Sequence, residues 1–144
     1  MTQNPETLTA RNTQLTLQFL EVIDRQEFDA IEPLLSQDFH LHFSGLQFDR
    51  DQTMAVIRSV YESFSDFRHE VQETLAVDDR VIVRIIDRAT HTGVFEGVPA
   101  TGRQINIGQI SIFRIADGRI VEIREEADLL GLMQQIGAMP APSS

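Results

Sequence analysis

Residues 104–115 and 119–127 are two runs in which apolar and polar side chains alternate, and Asp117-Gly118 lies between them. A period of two puts successive side chains on opposite faces of a strand, and Asp-Gly supplies the turn that a tight hairpin needs. Residues 68–77 and 80–92 read as a second antiparallel pair joined at Asp78-Asp79. The segments before them are helical. Leu8, Leu15, Phe19, Leu20, Val22 and Ile23 form one apolar stripe on a helix that begins near Pro5 and Glu6. Residues 29–35 read as a short second helix. Residues 49–64 form a third, with Met54, Val56, Ile57, Val60, Tyr61 and Phe64 apolar and Asp49 or Asp51 as its cap. Between these, 38–43 alternates as a half-buried strand, and Ser44-Gly45 ends it. Helices first and strands in series afterwards predict an α+β domain whose mostly antiparallel sheet curls around helices on one side.

Composition narrows the function classes. A chain of 144 residues is the size of one domain and buries about 68 to 70% of its unfolded surface. We expect one domain over 1–138 and a flexible tail over 139–144, where Pro140, Pro142, Ser143 and Ser144 fall. The net charge is −10 with no Lys/Arg cluster, so neither nucleic acid nor an anionic membrane is an expected partner. There is no cysteine, which removes disulfides and thiolate chemistry. No signal-peptide pattern and no apolar run of about 20 residues occurs, so a cytoplasmic soluble protein is expected. Gly93, Gly97 and Gly102 are spaced as turns, not as a phosphate-binding loop, and no GxSxG elbow is present.

Several pieces in the last third of the chain carry a resemblance. Thr90-His91-Thr92-Gly93, Gly97-Val98-Pro99-Ala100-Thr101-Gly102, Phe113-Arg114, Asp117-Gly118-Arg119-Ile120-Val121-Glu122 and Asp128-Leu129-Leu130-Gly131 stand in an order that resembles the SnoaL-like polyketide cyclase family. That family lies within the nuclear transport factor 2-like, ketosteroid-isomerase-like superfamily. The resemblance implies a conical α+β barrel with a deep apolar pocket, and a homodimer formed through the outer face of the sheet. It implies an intramolecular aldol closure of a hydrophobic carbonyl substrate with no cofactor and no metal. It assigns the general acid/base to the aspartate that matches Asp128. Positioning alone contributes on the order of 7 kcal/mol in favourable cases of such chemistry.

Asp128 has a second reading, because it directly precedes an apolar helical segment and suits the N-cap of that helix. A carboxylate bound by helix amides has a lowered pKa, whereas an apolar pocket raises it. On a straight strand Ile120, Glu122, Arg124, Glu126 and Asp128 share one face. Arg124 stands where the family commonly has tryptophan, and it reaches substrate oxygen only if that face lines the pocket. Arg124 and Asp128 would lie about 13 Å apart on such a strand, so contact between them needs a bend or bulge.

No histidine follows His91, so the helper histidine of the family has no counterpart. Gln109 with Ser111, or Asn106 on the opposite face, are the polar groups that remain on the preceding strand. His42 is a hydrogen-bonding candidate for the pocket. His40 and His42 lack a third ligand for a metal, His91 fastens its loop, and His69 reads as surface. Phe19 and Tyr61 are expected in the pocket wall. The preferred reading is an Asp-dependent cyclase-like or isomerase-like enzyme; the alternative is a small-molecule binding or dimerisation module. An epoxide hydrolase is a weaker option, because the strand over 81–87 lacks the Arg-x-Asp spacing of that branch.

Overall fold

The computed structural model describes residues 4–142. Helix α1 (Pro5–Asp24) is followed by two 3-10 turns (Phe28–Ala30 and Glu32–Leu34), strand β1 (Leu35–Phe43) and strand β2 (Leu46–Asp49). Then come helix α2 (Arg50–Ser63), strands β3 (Arg68–Val77), β4 (Arg80–Thr90), β5 (Gln104–Ala116) and β6 (Arg119–Ala127), and helix α3 (Leu129–Gln135). Residues 143 and 144 of the expected tail lie outside the described residues.

Local chemistry sets most of these boundaries. Asn4 accepts a hydrogen bond from the Glu6 amide and Pro5 opens the first turn of α1. The single helix expected over 29–35 is instead two 3-10 turns, since Pro33 has no amide hydrogen with which to extend an α-helical ladder. β2 was not expected. Ser44 and Gly45 both take positive φ, 52° and 80°, which folds the chain straight back into a four-residue strand that runs into α2. Asp49 then closes a reciprocal capping box with Gln52.

The strands form one sheet in the order β2-β1-β6-β5-β4-β3. β1 runs parallel to β6 and every other neighbouring pair is antiparallel. Helices α1 and α2 cover the inner face. Val81, Val83, Ile85 and Ala89 of β4 and Ile105, Ile107, Phe113 and Ile115 of β5 are buried beneath Phe19, Leu20, Ile23, Tyr61 and Phe64. Phe19 meets Phe113 edge to face at 5.6 Å between centroids.

One irregularity decides what the last strand offers to the interior. Ile115 faces Ile120 while Arg114 faces Glu122, so Val121 is an extra residue on β6. Ile120 and Ile123 are therefore both buried, at 0% and 3% exposure. Past the bulge the inward phase is Ile123, Glu125 and Ala127, and the outward phase is Glu122, Arg124 and Glu126.

The loop between β4 and β5 is pinned as expected. His91 is fully buried, its Nδ1 accepts from the Thr101 amide at 3.2 Å, and it lies 2.9 Å from the Thr101 hydroxyl. Gly93 packs so close to α2 that a Cβ there would stand 2.0 Å from the Glu62 carbonyl oxygen.

Candidate active site

A cavity of about 180 Å³ lies between the inner sheet face and the three helices. Phe19, Ile23, Val60, Phe64, Phe95 and Leu132 contribute to its apolar wall. Its polar lining comes from Thr53, Tyr61, His69, Asp87, Gln109 and Glu125. The last four sit on four adjacent strands, β3, β4, β5 and β6, and form a polar band across an otherwise apolar face.

At the β6 end, Gln109 Nε2 donates to Glu125 Oε1 at 2.7 Å and to Ser111 Oγ at 2.8 Å. The Ser111 hydroxyl in turn lies 3.4 Å from Glu125 Oε1. Burial raises the pKa of Glu125 against the opposing effects of the His69 charge and the Ser111 hydrogen bond. A carboxyl so held retains its proton to higher pH than a surface glutamate and is oriented by two neutral donors.

The β3 end is built around a different pair. Asp24, the last residue of α1, accepts from His69 Nδ1 at 2.7 Å and from the His69 amide at 3.0 Å. Burial disfavours the imidazolium, but the Asp24 hydrogen bond together with the charges of Asp87, Asp24 and Glu125 outweighs it and raises the His69 pKa. Directly across the β3–β4 ladder from His69 stands Asp87. Asp87 is 2% exposed and its Oδ1 is buried with no hydrogen-bond partner. Burial pushes its pKa up to about 7, assisted by the charges of Glu125 and Asp24 and opposed by that of His69. The Tyr61 hydroxyl donates to the Phe67 carbonyl at 3.1 Å, and burial, followed by the charges of Asp24 and Asp87, raises its pKa strongly.

The expected site residues divide. Phe19, Tyr61 and Gln109 come together in the cavity lining. Asp128, Arg124 and His42 do not. Asp128 is exposed and caps α3, accepting from the Gly131 amide at 2.8 Å. A Cβ at Gly131 would stand 2.2 Å from Asp128 Oδ2, so the glycine makes room for that cap. Arg124 is exposed beside Glu122 at 3.1 Å, and His42 Nε2 lies 3.6 Å from the same glutamate on the outer face. The bulge at Val121 is the physical reason, because it turns the face shared by Glu122, Arg124 and Glu126 outward.

His69, expected at the surface, lines the cavity instead, with 10% of its side chain exposed, because Asp24 draws it under α1. Sequence reasoning also missed Asp87 and Glu125. A signal existed for Asp87, which falls in phase with Val81, Val83, Ile85 and Ala89. For Glu125 the only signal was the spacing of three between Ile120 and Ile123. Among the described residues, no group of three or more His, Asp or Glu side chains is placed to hold a metal ion, and no helix is long and apolar enough to cross a membrane.

A curled sheet with a cavity beneath N-terminal helices defines a nuclear transport factor 2-like α+β cone. The chain belongs to the SnoaL-like polyketide cyclase family, whose pattern it matches over residues 13–136. It is 45% identical over 47 residues to the aklanonic acid methyl ester cyclase of Streptomyces peucetius, a stretch that covers 33% of this chain and 32% of that protein. The matched stretch thus spans about a third of that curated relative. Among solved structures it is similar to AclR of Streptomyces galilaeus, provisionally assigned as a hydroxylase. That likeness has 25% identity and a TM-score of 0.87, covering 94% of this chain and 87% of AclR. IdmH of Streptomyces antibioticus, provisionally assigned as a polyketide cyclase, is 26% identical with a TM-score of 0.80, over 88% of this chain and 98% of its own.

Proposed function

We propose that this chain is a cyclase-like enzyme in which Glu125 takes a proton from the carbon next to a carbonyl of an apolar substrate held in the cavity. The observation that carries this reading is the hydrogen bond from Gln109 to Glu125 inside an apolar chamber. It fixes a carboxyl that burial has made more basic than a surface glutamate, which is the condition for a general base working near neutrality. Family membership supports cyclase-like chemistry, while the choice of Glu125 over Asp128 rests on which carboxyl faces the cavity.

A small fused-ring ketone, 1-tetralone, tests the proton transfer without requiring the natural acceptor group. In deuterated water the protein should catalyse deuterium uptake at C2 of the ketone, read by proton NMR. Glu125→Gln should slow that uptake by at least about a hundredfold, the scale of one lost acid/base group. Uptake that is unchanged in Glu125→Gln would remove the assignment.

A second reading has its own support. The cavity of about 180 Å³ is smaller than the roughly 300–1,000 Å³ of drug-sized ligand sites, which suits a module that binds a small molecule without turnover. Binding of 1-tetralone with no deuterium uptake would favour it. Under either reading two copies pair through the outer sheet face, where Leu75, Val77 and Ile110 are exposed, and sedimentation should show a dimer mass.

A further inference from the structure

The Glu125 end of the polar band satisfies its own hydrogen bonds, whereas the other end does not. Oδ1 of Asp87 is buried, lines the same cavity and has no partner. An unpartnered buried polar atom costs about 1–3 kcal/mol, and folded proteins hold few of them. The Ser36 hydroxyl and His91 Nε2 are also unpartnered here, but of the three only the Asp87 carboxyl lines the cavity. His69 does not satisfy Asp87 Oδ1, because its Nδ1 and its amide bond Asp24 and its Nε2 makes no hydrogen bond to that oxygen. Tyr61 does not either, since its hydroxyl is committed to the Phe67 carbonyl. The groups facing Asp87 are His69 across the ladder, with Asp24 behind it, and Glu125 through its charge, while the Asp87 charge in turn raises the Tyr61 pKa.

We propose that Asp87, set beside the Asp24–His69 pair, is the carboxylic acid that receives the carbonyl oxygen of the ligand. The cavity then works with two carboxyl stations, one at carbon and one at oxygen. This rests on the reading of the cavity as a carbonyl site and adds to it a second catalytic residue and a ligand polarity. In the forward step the C–H bond next to the carbonyl breaks and its proton passes to the Glu125 carboxylate. The released electron pair forms the carbon–carbon double bond of the enol. The carbonyl π pair takes the proton of the Asp87 carboxyl, which is left as carboxylate. No electron enters or leaves, and the reverse transfers restore both groups. His69 and Asp24 are positioning residues in this scheme, since His69 pairs with Asp87 across the β3–β4 ladder and Asp24 fixes the His69 ring. The ligand class is an apolar ketone or ester whose oxygen lies toward β4 and whose acidic carbon lies toward β6.

Infrared spectroscopy of bound 1-tetralone labelled with carbon-13 at the carbonyl tests this on the full chain. Bound to the unaltered protein, the carbonyl band should lie at lower wavenumber than in hexane. Asp87→Leu should return the band to its hexane position and weaken binding about three- to tenfold, the value of one hydrogen bond. Asp87→Asn, nearly isosteric, keeps the measurement available where the leucine variant does not fold, and its weaker amide donor should move the band part of the way back. A ketone that binds the unaltered protein with its band at the hexane position overturns the proposal, as does a band that neither variant shifts. A ketone that does not bind at all overturns the carbonyl-site reading itself. A normal band shift with no loss of deuterium uptake in Glu125→Gln leaves Asp87 as the oxygen station and removes only Glu125.

Discussion

The carboxylate of Asp24 receives both the ring and the backbone of His69, at 2.7 Å from Nδ1 and at 3.0 and 3.2 Å from the amide nitrogen. The end of α1 is thereby tied to the start of β3, and the imidazole is held beneath the helix against Phe67, whose ring centroid is 5.1 Å away.

Removing that carboxylate should lower both stability and the basicity of the ring. Asp24→Ala is expected to cost about 1.5–3 kcal/mol in denaturant unfolding, the range for hydrogen bonds that involve a charged group. With Asp24 gone, burial acts on His69 with less opposition, so its pKa should fall. An NMR titration of the His69 ring protons checks this. A ring that titrates as before would show that Asp24 does not control it.

The same band of groups should make the fold less stable as pH rises. Asp87 titrates at about 7 when folded, above its ordinary 3.8, so between these values the folded chain holds a proton that the unfolded chain has released. Its contribution is therefore present at the acid end of that window and is lost as pH rises through about 7. Glu125 and His69, both raised, act in the same direction. Unfolding free energy measured from pH 5 to pH 8 should fall more steeply for the unaltered chain than for Asp87→Asn, by roughly 2–3 kcal/mol over the interval. Parallel curves would show that Asp87 is not perturbed.

Asp128 should matter for stability and not for turnover. Asp128→Ala is expected to destabilise the chain by about 0.5–2 kcal/mol through the lost cap on α3, with Asp128→Asn close to neutral because asparagine caps as well. Deuterium uptake by 1-tetralone should be the same in Asp128→Asn as in the unaltered chain. A loss of a hundredfold in that variant would return the proton-transfer role to Asp128.

Much of the architecture was legible along the chain because strand and helix periods are local properties. The alternation over 104–115 and 119–127, the Asp117-Gly118 turn and the apolar stripe from Leu8 to Ile23 became β5, β6, the hairpin between them and α1. Family membership was legible for a similar reason, since the motif pieces depend on order and residue type. Phe19 and Tyr61 sit on the apolar stripes of their helices and line the cavity, whereas the choice of Gln109 over Asn106 was open along the chain and was made by the fold.

What the sequence by itself determined is the set of elements, their order and the apolar phase of each. Which carboxyl faces the interior was decided only in three dimensions. A strand read in isolation keeps one parity from end to end, and the extra residue Val121 is recognisable as a bulge only when β6 is laid against β5. That single residue turns Arg124 outward and Glu125 inward. His69 and Asp87 likewise acquire their chemistry from contacts with α1 and across the β3–β4 ladder, which bring together residues 24, 69 and 87. Burial is a property of the assembled fold, and burial is what raises the pKa of Asp87 and Glu125 above that of surface carboxyls.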